Sequence, residues 1–77
     1  MNCDKGDRIF KYLFRCQQKK ECVWYGNVLV DCARIDGAIG IISNNTEWVG
    51  NRIQAANRLA MMNVEINDDG SPCGVEE

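Results

Sequence analysis

Histidine is absent from the chain, and serine nearly so, with Ser43 and Ser71 the two present. Without an imidazole there is no Ser-His or Cys-His nucleophile pair, no histidine metal ligand and no acid–base group titrating near neutrality. Neither serine sits in the glycine-flanked elbow of a hydrolase nucleophile. These absences argue against an enzyme, and no catalytic, cofactor-binding or metal-binding residue is assigned. A single proline and seven glycines are too few for a collagen-like or low-complexity chain. No run approaches the roughly 18 apolar residues of a membrane span. The opening Met1-Asn2-Cys3-Asp4-Lys5 also lacks the apolar stretch of a secretory signal. The expectation is a cytoplasmic chain in a reducing compartment, with no membrane contact.

What is present suffices for one small core. The chain has 77 residues, 45% hydrophobic and 26% charged, which supports one modest domain but not a core plus a deep substrate cleft. Five cysteines stand at 3, 16, 22, 32 and 73. None forms a Cys-x-x-Cys pair, so a zinc knuckle or thioredoxin-type site has no support. An odd count fits reduced thiols. Cys16, Cys22 and Cys32 fall in apolar segments and read as small core residues, with a bridge or a loose four-cysteine site as the alternative. Cys3 and Cys73, near the ends, read as the reactive thiols. Asp68-Asp69-Gly70 lacks the spacing and distal Glu of a calcium loop.

The net charge of −2 conceals an asymmetry. Residues 1–20 carry six basic and two acidic side chains, whereas residues 64–77 carry Glu65, Asp68, Asp69, Glu76, Glu77 and no base. A basic body with an acidic tail approaches a polyanion only weakly, because the tail competes for the same charges.

Periodicity divides the chain into elements. From Asp4 to Lys20 the polar residues Lys5, Arg8, Lys11, Arg15 and Lys19 recur at helical spacing, with Ile9, Tyr12, Leu13 and Cys16 opposite and Asp4 as N-cap. A strand over residues 8–16, placing Phe10, Tyr12, Phe14 and Cys16 on one face, is the competing reading. Cys22–Tyr25 and Val28–Val30 flank Gly26-Asn27, a two-residue hairpin signal. The second strand is expected to continue through Ile35 to a turn at Asp36-Gly37, and a third strand to follow over Ala38–Ile42. Asn44 then reads as a helix cap with Glu47 three residues on. Val49, Ile53, Ala56, Leu59 and Ala60 carry that helix to Asn63. The expected fold is α+β: α-β-β-β-α, a three-stranded antiparallel sheet with both helices on one face. The alternative is a four-stranded sheet with one helix. Residues 1–63 form the compact domain in this reading and 64–77 a flexible acidic tail, with a solubilising tail as its default role.

This order resembles the double-stranded-RNA-binding domain. The local echoes are Tyr12-Leu13-Phe14-Arg15-Cys16-Gln17, then Val28, Val30 and Ala33-Arg34-Ile35-Asp36-Gly37, then Ala55-Ala56-Asn57-Arg58-Leu59, together spanning most of residues 4–62. The resemblance implies a minor-groove contact from Gln17 or Gln18. The family's minor-groove loop corresponds here to Gly26-Asn27, and its phosphate-gripping lysine cluster to Trp48, Val49 and Arg52, where Arg52 alone is basic.

Two binding sets follow. The nucleic-acid candidates are Lys11, Arg15, Gln18, Lys19, Lys20, Arg52 and Arg58, although a basic stripe is also the ordinary solvated face of an amphipathic helix. The protein-partner candidates are Trp48, as an interface anchor, with Asn44, Asn45, Asn51 and Arg52 as a polar rim. Trp24 and Tyr25 read as sheet-packing residues. The function expected is a non-enzymatic binding module with a protein partner. Its size and charge are the build of many viral or phage antagonists of host nucleic-acid machines. Weak, sequence-independent double-stranded RNA binding is the alternative, and a homodimer or other self-association the third reading.

Overall fold

The computed structural model describes residues 2–34 and 37–73. Helix α1 runs Asn2–Lys19, followed by strands β1 Cys22–Tyr25, β2 Val28–Asp31, β3 Ile39–Ser43 and β4 Thr46–Gly50, and helix α2 Arg52–Met61. The strands form one antiparallel meander in the order β1-β2-β3-β4. The expected α+β class holds, and so does the pair of helices. The three-strand count is corrected to the four strands of the alternative. The added strand is residues 46–50, not 8–16, which are helical.

The correction turns on Asn44 and Asn45. Both take positive φ, 52° and 64°, the geometry of the two-residue turn that joins twisted antiparallel strands. Ser43 pairs with Thr46 across it, and the ladder continues through Ile41↔Trp48 to Ile39↔Gly50. Thr46, Trp48 and Val49 favour a pleated strand, and pairing with β3 satisfies backbone groups that a helix starting at Asn44 would leave exposed at its first turn. The reciprocal cap lies seven residues later. The Asn51 side chain accepts from the Gln54 N–H, and the Gln54 side chain accepts from the Asn51 N–H. At the other end of the chain α1 begins before Asp4, so Asp4 stands in its first turn and is not the cap.

The β1–β2 hairpin forms as expected, with Gly26 at φ 64° supplying the positive φ of its turn's first central position. Strand β2 stops at Asp31 rather than continuing to Ile35. Ile35 and Asp36 of the expected second turn lie outside the described residues.

Both helices cover the same face of the sheet. Ile9 and Leu13 of α1, Leu59 of α2, and Val30 and Ile39 of the sheet are each fully buried, and together with Val23, Tyr25 and Ile41 they form one cluster. The helices run antiparallel. Gly6 in the first half of α1 faces Asn57 and Ala60 late in α2, and Phe14 late in α1 meets Arg52 at the start of α2.

Residues 64–73 lie against this body. Val64 is buried and Ile66 packs on the core. The Tyr25 hydroxyl donates to the buried Gly70 carbonyl at 2.7 Å, and Asp68 pairs with Arg8 at 3.7 Å. Gly70 has φ 87°, and a side chain there would run into the Arg8 carbonyl.

Two glycine substitutions therefore carry opposite signs. Gly70→Ala is expected to lower stability by about 2 kcal/mol or more, from left-handed strain plus collision. Gly6→Ala places a methyl at ordinary contact distances, 3.4 Å from Asn57 Oδ1 and 3.8 Å from Ala60 Cβ. It is expected to add about 0.5–1 kcal/mol by removing a mid-helix glycine. Urea-denaturation midpoints of the two variants measure both.

Candidate protein-interaction surfaces

The sheet has two faces and the helices take one. Along the strands the alternation sends Val23, Val30, Ile41 and Trp48 towards the helices and Trp24, Leu29, Ile42 and Glu47 to the other side, each set aligned across all four strands. No described element lies on that outer side. Trp24 is 51% exposed and Val49 47%, while Leu29 and Ile42 between them are half-buried. The expectation that Trp24 packs within the sheet is corrected: it stands at the edge of an open apolar row. The face also carries the Arg34–Glu47 ion pair at 2.6 Å. That pair occupies the space left by Gly40, where a Cβ would lie 3.1 Å from both side chains. Asp31 and the exposed Cys22 sit beside each other, the thiol donating to Asp31 Oδ1 at 3.5 Å. Cys22 is thus on the open face and not in the core.

The expected partner-binding set does not assemble as one ring. Trp48 belongs to β4, on the helix-facing side, half-buried against the core, with the Arg58 guanidinium 5.2 Å from its ring centre. Asn44 lines a groove with Trp48. Asn45 sits in the exposed turn, and Asn51 is committed to the helix cap. Arg52 faces α1, its guanidinium carbon 4.6 Å from the ring centres of both Phe10 and Phe14. One of its nitrogens donates to Gln17 Oε1 at 3.0 Å, and Gln17 Nε2 donates to the Gly37 carbonyl at 2.5 Å. This relay ties the β2–β3 connection to both helices. The Arg52 Nε is buried without a hydrogen-bond acceptor among the described residues, its plane enclosed by the two aromatic rings.

The nucleic-acid candidates divide as well. Lys11 pairs with Asp7 at 3.4 Å. Arg15, Gln18 and Lys19 lie exposed on α1 and Lys20 just beyond its end, while Arg52 and Arg58 are stacked on aromatic rings. Asp69 lies near Arg15; hydrogen bonds from Ser71 foremost, with Arg15 contributing, hold its carboxyl below the ordinary range. Sequence reasoning expected one open face but did not place Trp24 on it, and it missed the exposed Met61 at the end of α2. The signal for the face was alternation: Val23 and Tyr25 point inward in the same strand whose other positions carry Cys22 and Trp24.

Beneath the end of α1 two thiols are buried together. The Cys16 carbonyl accepts from the Glu21 N–H, and the Glu21 carbonyl accepts from the Cys32 N–H, which joins the end of the helix to the end of β2. Cys16 and Cys32 are 4% and 3% exposed. Burial pushes both thiols up, that of Cys32 to about 12, so neither is a ready nucleophile. Cys73 is exposed, and the Cys3 side chain lies outside the described residues. Among the described residues no cluster of three or more Cys, Asp or Glu is placed to hold a metal ion, and no helix is long and apolar enough to cross a membrane. No protein family, curated protein or solved structure matches the chain.

The buried thiols set an alkaline limit on stability. Above the ordinary thiol value of 9.0 the unfolded chain releases a proton that folded Cys32 retains until about 12. The unfolded state binds fewer protons in that window, so stability is full below about pH 9 and falls as pH rises towards 12. Burial shifts Cys16 and Tyr25 in the same direction. Urea midpoints measured across this window should fall, and Cys32→Ala should make the fall shallower.

Proposed function

We propose that this chain is a non-enzymatic binding module that engages a protein partner through the open face of its sheet. The observation that carries this reading is the uncovered row Trp24, Leu29 and Ile42, extended by Val49. Covering the exposed half of Trp24 alone withdraws on the order of 100 Å² from water, worth about 2–3 kcal/mol. Tryptophan is among the side chains that most often dominate protein interfaces. Asp31 and Glu47 border the row, and Glu47 neutralises Arg34, so the face offers no net positive charge to a phosphate backbone. The small, acid-tailed build is that of viral and phage antagonists that work by occupying a host protein surface.

Double-stranded RNA is the rival partner. It requires the α1 cations to act together with Arg52 and Arg58, and Arg52 is engaged with Phe10, Phe14 and Gln17. Self-association through the same open face is the third reading, and it would appear as a melting temperature that rises with protein concentration.

Replacing Trp24, which is half exposed, with Asp should leave the fold intact by circular dichroism. It should abolish partner retention on an affinity column of the protein, whereas Arg15→Ala and Lys19→Ala should retain the partner. The reading fails if Trp24→Asp retains it fully. It also fails if the wild-type chain binds duplex RNA in a salt-dependent manner that Arg15→Ala weakens.

A further inference from the structure

A second surface, separate from the open sheet face, lies where β4 meets the outer side of α2. Trp48, Gln54, Asn57, Arg58, Met61 and Met62 line a groove of about 510 Å³. A narrower continuation of about 250 Å³ runs along Trp48, Arg58 and Met62 to Ser43, Asn44 and Thr46 at the β3–β4 turn. The floor is fixed. The Trp48 ring lies over Gly50, where a Cβ would meet Trp48 Cζ2 at 2.7 Å and Gln54 Oε1 at 2.8 Å. The rim is adaptable: Met61 is 83% exposed and Met62 37%, and thioether side chains reshape readily around a ligand.

The polar side chains of the wider part of this groove present mainly donors. Gln54 spends its carbonyl oxygen on the Asn51 N–H at 3.1 Å, leaving its amide nitrogen as a donor. Asn57 turns its oxygen towards Gly6 of α1. Arg58 forms no ion pair among the described residues, and no Asp or Glu lines the groove. An aromatic and thioether floor thus sits beneath a set of donors with one unneutralised cation.

We propose that this groove docks an extended acidic peptide segment of a partner protein. An apolar side chain of the peptide settles against Trp48, Met61 and Met62, and an adjacent carboxylate pairs with Arg58. The occupant follows from charge complementarity, because a carboxylate supplies the negative partner that Arg58 lacks in a groove lined by no acid. One tryptophan and one cation suit a peptide better than a nucleic acid strand, which calls for successive stacking platforms and a basic track. The proposal does not depend on the open-face reading.

The test is a titration of the full chain with a capped peptide alternating Glu and Leu, alongside its Gln-for-Glu and Lys-for-Glu counterparts, followed by NMR of the indole and methionine methyl signals. The Glu peptide is expected to move the signals of Trp48, Met61 and Met62 and to leave Trp24 in place. Arg58→Gln should weaken it about tenfold, the loss of one charge-assisted pair. The Gln peptide should bind correspondingly less well and the Lys peptide not at all. Met61→Glu, at a solvent-exposed position, should abolish binding without disturbing the fold, and it serves if Arg58→Gln proves unstable. Equal binding by the Glu and Gln peptides, unchanged affinity in either variant, shifts centred on Trp24, or no binding would overturn the proposal. So would a short RNA duplex that moves the Trp48 signal more strongly than the peptide does.

Discussion

Ile9 and Leu13 of α1, Leu59 of α2, and Val30 and Ile39 of the sheet leave water together, and the remaining contacts rest on that burial. With both helices drawn to the inner face by this cluster, the meander is covered on one side only among the described residues. The hydrogen-bonded relay from Arg52 through Gln17 to Gly37 and the Tyr25–Gly70 bond then fasten the β2–β3 connection and residues 64–73 around that core. In a chain this small such polar fastenings supplement a limited hydrophobic term. Among the described residues no element covers the outer strand positions.

Much of this was legible in the sequence, and the failures have identifiable causes. Helix α1 shows in the spacing of its cations, whose polar stripe outweighed the competing strand over residues 8–16, and the first hairpin shows in Gly26-Asn27, because both signals are local. The second helix was placed too early because Asn serves equally as a helix cap and as a positive-φ turn residue. Asn44 with Glu47 three residues on mimics the cap that Asn51 and Gln54 form. What separates the two is the ladder with β3, a non-local pairing that no window around Asn44 contains. Trp48 moved with that error, from the first turn of a helix to the helix-facing side of β4. Trp24 was assigned to sheet packing because strand propensity says nothing about which face a second layer will cover. Residues 64–77 read as a flexible acidic tail by composition, yet in the described part, through residue 73, Val64, Ile66 and the Gly70 carbonyl each have a partner in the body.

Charge reinforces the division of surfaces. On α1, Arg8 and Lys11 are paired with Asp4 and Asp7, so the basic stripe read from sequence is partly neutralised by its own helix. On the open face, Arg34 is neutralised by Glu47. Arg58 lies over the Trp48 ring beside a groove with no acid lining it. Exposed pairs of this kind add little stability. Their consequence is to leave one face apolar and near neutral and the groove positive, two surfaces of different chemistry.

The chain's two tryptophans lie on these two surfaces, Trp24 on the open sheet face and Trp48 on the groove, which makes fluorine NMR of the 5-fluorotryptophan-labelled protein a direct reading of the central claim. Spectra would be recorded with and without the partner retained by the wild-type protein. The account expects the Trp24 resonance to shift and to lose its sensitivity to a soluble paramagnetic quencher when the partner binds. A Trp24 resonance that stays unshifted and fully quenchable in the complex would contradict it.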